Sequence, residues 1–242
     1  MKRTVALLLA IALLDCHRHA AKIKPARPSR LLDGVLRVVV VGDSLAYGTG
    51  DESGKGIPAN LEEELRQRGV ASVEVKNFGM PGATTSDVER RLQDDAIRSD
   101  LYAADAIVLS VGANDVFQAS DARAEAIREP VAFAQRILTG VAAVVALLRS
   151  INPDAEILLL GGYNPIPDHP LSKGISRYLR RWDRMLDDRF EGDPLVDVVK
   201  TADIIDGPGK LSPIDHFHPG AAAYRDIAKR IADVLLAQFQ TE

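Results

Sequence analysis

The sequence predicts an α/β domain, a parallel five-stranded sheet covered by helices on both faces. Three observations predict it. Short runs of β-branched and apolar residues recur along the chain, as strands buried on both faces read. Segments with apolar residues at helical spacing alternate with them. Three of the runs stop at glycine. Strands that alternate with helices in this way build a parallel sheet.

Residues 35–41 (VLRVVVV) form the first strand and break at Gly42. Residues 57–68 carry Ile57, Leu61 and Leu65 at helical spacing, with Gly69 as the stop. Residues 73–76 form a short second strand. Residues 84–98 read as one helix opened by a Thr/Ser cap. Residues 106–111 (AIVLSV) form the third strand, ending at Gly112. Residues 130–150 read as a long amphipathic helix, followed by a turn at Asn152-Pro153. Residues 156–160 (EILLL) form the fourth strand, ending at Gly161-Gly162. Residues 175–190 form a helix holding the only tryptophan, Trp182. Residues 195–199 form the fifth strand. Residues 219–238 form the last helix, with Pro219 at its start.

The chain has 242 residues, 46% hydrophobic and 26% charged. These values are those of a globular protein and exclude a disordered tail, a collagen-like repeat or a multi-span membrane protein. With 30 basic against 34 acidic residues, the net charge is −4. No basic surplus points to nucleic acid, so none is expected as a partner. One cysteine excludes an intrachain disulfide framework.

Residues 1–16 read as an export signal. Lys2 and Arg3 precede an apolar run from Val5 to Leu14, which is too short to span a bilayer. Leu13-Leu14-Asp15-Cys16 looks like a lipoprotein cleavage site, with Cys16 as the residue to be lipidated, although Asp15 stands where a small residue is usual. A plain signal with an incidental cysteine is the alternative. Cutting before Cys16 leaves the balance acidic. Residues 17–33 are basic, hold Pro25 and Pro28, and read as a tether to a domain spanning 34–242. The protein is expected in the cell envelope, anchored through Cys16, or free in the periplasm or medium.

Ligands of such sheets bind where strands end at their carboxyl side. Gly42-Asp43-Ser44-Leu45 follows the first strand, and a serine in a tight strand-to-helix turn stands clear of the sheet beside backbone N–H groups. Ala46 excludes the Gly-x-Ser-x-Gly elbow. His17 and His19 lie in the tether, which leaves His169, His216 and His218 as bases. Asp215 and His218 are three apart in one loop, so the carboxylate can hold one ring nitrogen while the other faces a serine. His216 has the wrong spacing and reads as structural. Asn114 ends the third strand and can donate to a developing oxyanion, as can the backbone of Gly82. Taken singly, each motif is also explained by capping or turn geometry.

In order along the chain, Gly42-Asp43-Ser44-Leu45, Asn77…Gly82-x-Thr84, Gly112-x-Asn114-Asp115 and Asp215-x-x-His218-Pro219 resemble the SGNH hydrolases, also called GDSL lipases and esterases. The resemblance covers about residues 35–240. It implies a three-layer α/β/α sandwich with a flavodoxin-like parallel sheet of order 2-1-3-4-5. It implies Ser44 as nucleophile, His218 as base and Asp215 as its orienting partner. The Ser44 and Gly82 N–H groups and the Asn114 side chain would form the oxyanion hole, with Gly79 a weaker candidate than Gly82. Asp43, Tyr163 and Asn164 are expected to bind substrate. Tyr163-Asn164-Pro165 looks most like a bacterial secreted lipase/acylhydrolase branch. No metal or organic cofactor is implied. The expected activity is serine ester hydrolysis on acyl esters, lysophospholipids or thioesters, by a monomer. A carbohydrate O-deacetylase of the same family, and a non-catalytic binding module, are the competing readings. Few aromatic residues (5%) argue against a sugar-stacking groove.

Overall fold

A computed structural model of the chain describes residues 34–118, 128–206 and 209–237. The export signal, Cys16 and the tether at 17–33 lie outside the described residues. The strands are β1 (Leu36–Gly42), β2 (Val73–Gly79), β3 (Ala106–Ser110), β4 (Glu156–Leu160) and β5 (Val196–Val199). They form one parallel sheet in the order β2-β1-β3-β4-β5. That is the predicted fold.

The alternation of side chains along each strand sorts the core into two layers. Val39, Val41, Ile107, Leu109, Ile157 and Leu159 face one way. They pack on α3 (Thr85–Arg91), α4 (Asp95–Ala103), α6 (Pro130–Ile151) and α7 (Ser172–Phe190). Leu36, Val38, Val40, Ala106, Val108, Leu158 and Leu160 face the other way. There they meet α2 (Gly56–Gln67), α8 (Ala202–Ile205) and α9 (Ala221–Ala237). Strands covered on both faces need apolar residues at nearly every position, which is why β3 and β4 are buried throughout. Edge strand β2 is covered less and carries Glu74, Lys76 and Asn77.

α6 is apolar and long enough to cross a membrane by length and composition alone. Here Ile137, Val141, Val144, Val145 and Leu148 seat it on the sheet, as a core helix.

One local expectation is corrected. The segment read as one helix at 84–98 is two. Thr84 caps α3 with a capping box closed by Asp87, and Asp94 caps α4 by accepting from the Ala96 N–H. The apolar positions explain the break: Val88 and Leu92 are four apart, Ile97 and Leu101 are four apart, and the step between the pairs is five. Short helices also stand at three strand ends, α1 (Ser44–Tyr47) after β1, α5 (Ala113–Gln118) after β3 and α8 after β5.

Candidate active site

Ser44 owes its position to the residue types beside it. Gly42 has φ of 134°, and a Cβ there would lie 1.9 Å from the Ser110 carbonyl oxygen. Only glycine lets β1 end this close to β3. The Asp43 N–H donates to that carbonyl at 2.9 Å, and the Met80 N–H donates to the Gly42 carbonyl at 2.8 Å. The turn is therefore fixed by the strands on both sides. Asp43 then caps α1 by accepting from the Leu45 N–H at 3.0 Å, and Ser44 is the first helical residue. Gly48, in the left-handed region at φ 97°, closes this single turn.

His218 reaches Ser44 from the loop before α9. Its Nε2 lies 2.9 Å from Ser44 Oγ. Its Nδ1 lies 2.7 Å from Asp215 Oδ2. The other oxygen of Asp215 accepts from the Phe217 and His218 backbone N–H groups, both at 2.9 Å. The three-residue spacing thus folds the loop around one carboxylate that holds both the ring and the backbone of His218. Burial alone would raise the Asp215 pKa, but the hydrogen bonds from His218 and Phe217 outweigh it and hold the carboxyl below its usual value. An ionised Asp215 favours the Nδ1–H tautomer, which leaves Nε2 to accept from the Ser44 hydroxyl.

Two donor groups converge on the same edge. The Asn114 side chain, in the first turn of α5, donates to the Ala83 carbonyl at 3.0 Å, which fixes the amide and leaves its second N–H. Gly82 has φ of 82°, and its N–H has no partner among the described residues. The Gly79 N–H is already given to Asn77 Oδ1 at 2.8 Å. What Gly79 supplies is room, since a Cβ there would lie 2.3 Å from the Tyr47 nitrogen, and its absence lets β2 touch α1.

Of the residues expected to bind substrate, two are corrected. Asp43 is 4% exposed, and its Oδ1 accepts from the Ser110 hydroxyl at 2.8 Å as well as from Leu45. It points into the domain and holds the turn. Burial pushes its carboxyl up to about 6, against the pull of these hydrogen bonds and of His218. Asn164 is also 4% exposed. Its amide donates to Ser172 and Ser176, and its oxygen accepts from Ile166, so it ties the loop after β4 to α7. Tyr163 is half-buried against the core layer of α2 and α9. Burial, then the charges of Asp43 and Asp215, hold its phenol protonated.

Asp115 accepts from the Thr85 N–H at 3.0 Å and the Thr85 hydroxyl at 2.6 Å, bracing α5 against the start of α3. His216, at φ 54°, is exposed. His169 is exposed, and its Nδ1 accepts from the Leu171 N–H.

Sequence reasoning missed the brace that holds the His218 loop against the Ser44 turn. A Cβ on Gly50 would lie 2.6 Å from His218 Cβ. The Tyr224 hydroxyl, on fully buried Tyr224, donates to the Thr49 carbonyl at 2.8 Å. Glu52 Oε2 accepts from the Ala221 N–H at 2.9 Å, at the start of α9. These pairs lie about 170 residues apart in the chain, and only Gly50 carries a local signal, as a glycine in Gly48-Thr49-Gly50.

Known proteins resemble this chain in family and fold. The model of the GDSL-like lipase/acylhydrolase family matches residues 40–225. An uncharacterised protein of Bacillus subtilis (strain 168), YpmR, is 26% identical over 202 residues, covering 80% of this chain and 79% of that protein. The lipase Lip_vut3 from a goat rumen metagenome shares the fold with a TM-score of 0.68 at 21% identity, covering 82% of this chain and 96% of that one. A family 3 carbohydrate esterase of Clostridium thermocellum does so with a TM-score of 0.62 at 18% identity, covering 84% and 98%. With a family match that spans every block of the site from Gly42 to His218, this chain belongs to the GDSL-like lipase/acylhydrolase family.

Proposed function

We propose that this protein is a serine ester hydrolase that cleaves acyl esters through an acyl-enzyme on Ser44. The observation that carries the reading is the continuous relay from Ser44 Oγ to His218 Nε2 at 2.9 Å and from His218 Nδ1 to Asp215 at 2.7 Å. In this mechanism Ser44 Oγ attacks the ester carbonyl carbon while His218 Nε2 takes the hydroxyl proton. Asp215 stays ionised and stabilises the imidazolium. The carbonyl oxygen becomes an oxyanion, which accepts from the Ser44 and Gly82 N–H groups and from Asn114. Collapse breaks the bond to the alcohol oxygen, and His218 returns its proton to that alcohol. Water then attacks the acyl group on Ser44 with His218 again as base, releasing the acid and restoring the hydroxyl.

The surroundings of Ser44 favour an apolar acyl group over a sugar ester. Phe217 packs edge-on against the His218 ring at 5.1 Å and against Phe117 at 6.0 Å. Phe117 is exposed, as are Tyr47, in the same short helix as Ser44, and Ile214, on the loop bearing His218. An apolar rim of this kind gains from covering hydrocarbon. The export signal and a lipid on Cys16 fit the same reading, since both bring a monomer to the envelope, where lipid esters are found.

The test is hydrolysis of a chain-length series of p-nitrophenyl esters beside a lysophospholipid and acetylated xylan. Turnover that rises with acyl length and vanishes in Ser44→Ala is expected. Activity confined to acetylated xylan would replace the reading with a carbohydrate O-deacetylase. No hydrolysis of any ester would leave a binding module.

A further inference from the structure

Helix α7 carries Lys173, Arg177, Arg180, Arg181 and Arg184, all exposed. At 3.6 residues per turn these five fall within an arc of about 100° and a length of about 16 Å. None of them is in an ion pair or hydrogen bond among the described residues. Elsewhere Lys55, Arg66, Arg68, Lys76, Arg149, Lys210 and Arg230 are each held by a carboxylate. The helix's own acids offset only part of the stripe: Asp183 is buried, Asp187 pairs with Lys200, and Asp188, four residues after Arg184, stands beside the last cation only. A concentrated cationic face thus stands on a chain of net charge −4.

The helix also has a direction. It starts at the carboxyl edge of the sheet, where Asn164 binds it to the loop after β4, the same edge that holds Ser44. Around that first part, large apolar side chains are exposed: Ile166 at 37%, Leu171 at 64% and Tyr178 at 38%. A basic face bordered by apolar side chains at one end is the composition of a helix that lies on an anionic lipid surface. Soluble polyanions would use the cations alone and give Leu171 and Tyr178 no role. We propose that this face of α7 docks on an anionic phospholipid surface, with the end at the Ser44 edge of the sheet seated deepest. The face would bring the rim of Phe117, Phe217 and Ile214 beside the bilayer. The proposal concerns binding and does not need the hydrolase reading.

The test is co-sedimentation of the full chain, carrying Cys16→Ser so that no acyl anchor forms, with phospholipid vesicles. Phosphatidylcholine vesicles with about a third phosphatidylglycerol are compared with pure phosphatidylcholine. Each cation near such a surface strengthens partitioning about fivefold. Arg180→Gln/Arg184→Gln should therefore weaken binding to anionic vesicles about 25-fold. The control is Arg225→Gln/Lys229→Gln on α9, which removes the same charge from two exposed positions and should change binding less than about twofold. Thermal melts of both variants matching the parent confirm the fold. Equal losses in the two variants, or no loss in either, would assign binding to net charge or to the basic tether and overturn the proposal. So would indifference to phosphatidylglycerol, or capture by heparin without binding to vesicles.

Discussion

Replacing Asp43 by Asn separates the stability of the Ser44 turn from its chemistry. Asp43 is buried, and its carboxyl is pushed from 3.8 to about 6. The folded protein therefore binds this proton more tightly than the unfolded chain does. Its contribution to stability is complete below about pH 4 and is lost as pH rises through about 6. A shift of this size corresponds to roughly 3 kcal/mol between those limits. Asparagine keeps the cap, because its oxygen still accepts from Leu45 and Ser110, and it has no charge to desolvate. Asp43→Asn should thus be the more stable protein at about pH 8, by up to roughly 3 kcal/mol, or about 6–12 °C in Tm for a domain of this size. At about pH 4 the two proteins should converge. Asp183, also raised to about 6 by burial, bends both stability curves alike and cancels in the difference. Activity should move the other way. The Asp43 carboxylate attracts a protonated His218, so its loss should lower kcat. Urea unfolding across this pH range, beside ester hydrolysis, reads both effects. A stability difference that stayed constant with pH, or grew toward acid, would refute the reasoning.

Other perturbations have distinct signatures. Asn114→Ala should lower kcat by about 100- to 1,000-fold with KM nearly unchanged, because the donated bond strengthens only as the oxyanion forms. Steady-state kinetics check this, and a change in KM alone would make Asn114 a substrate-binding residue. Gly42→Ala should unfold the domain or cost more than about 3 kcal/mol, since its Cβ would meet the Ser110 carbonyl and its φ is positive. Thermal unfolding by circular dichroism gives that loss directly. Cys16→Ser should release the protein from the membrane fraction if a lipid on Cys16 anchors it, and an unchanged fraction would refute lipidation.

The layers of this fold were legible because burial on both faces forces a simple composition. Val38 to Val41 and Leu158 to Leu160 can be little else than interior strands, and the longer helices show their seams. The split between α3 and α4 was written in the slip from Leu92 to Ile97, but a slip of one residue is masked when the segment lacks glycine and proline. Helix α1 has four residues, too few for any period to show. At the site, Asp215 and His218 were legible because they share one loop, so spacing implies geometry. Asp43 and Asn164 were misread for the opposite reason. A polar residue at a strand end can face the mouth of the site or turn inward, and only the partners decide. Those partners, Ser110 for Asp43 and Ser172 for Asn164, come from other elements. The brace of Gly50, Glu52 and Tyr224 is hidden in the same way, by contacts between the two ends of the domain.

The central claim is that Ser44 is a nucleophile activated by His218. A fluorophosphonate probe measures it most directly. The activated oxygen attacks phosphorus, fluoride leaves, and the phosphonyl group stays on the side chain. Peptide mapping by mass spectrometry should place one label on the peptide holding Ser44, with hydrolysis lost in step with labelling. His218→Gln should slow labelling by orders of magnitude while the protein stays folded. Labelling of another residue, or labelling of Ser44 at the same rate in His218→Gln, would contradict the account.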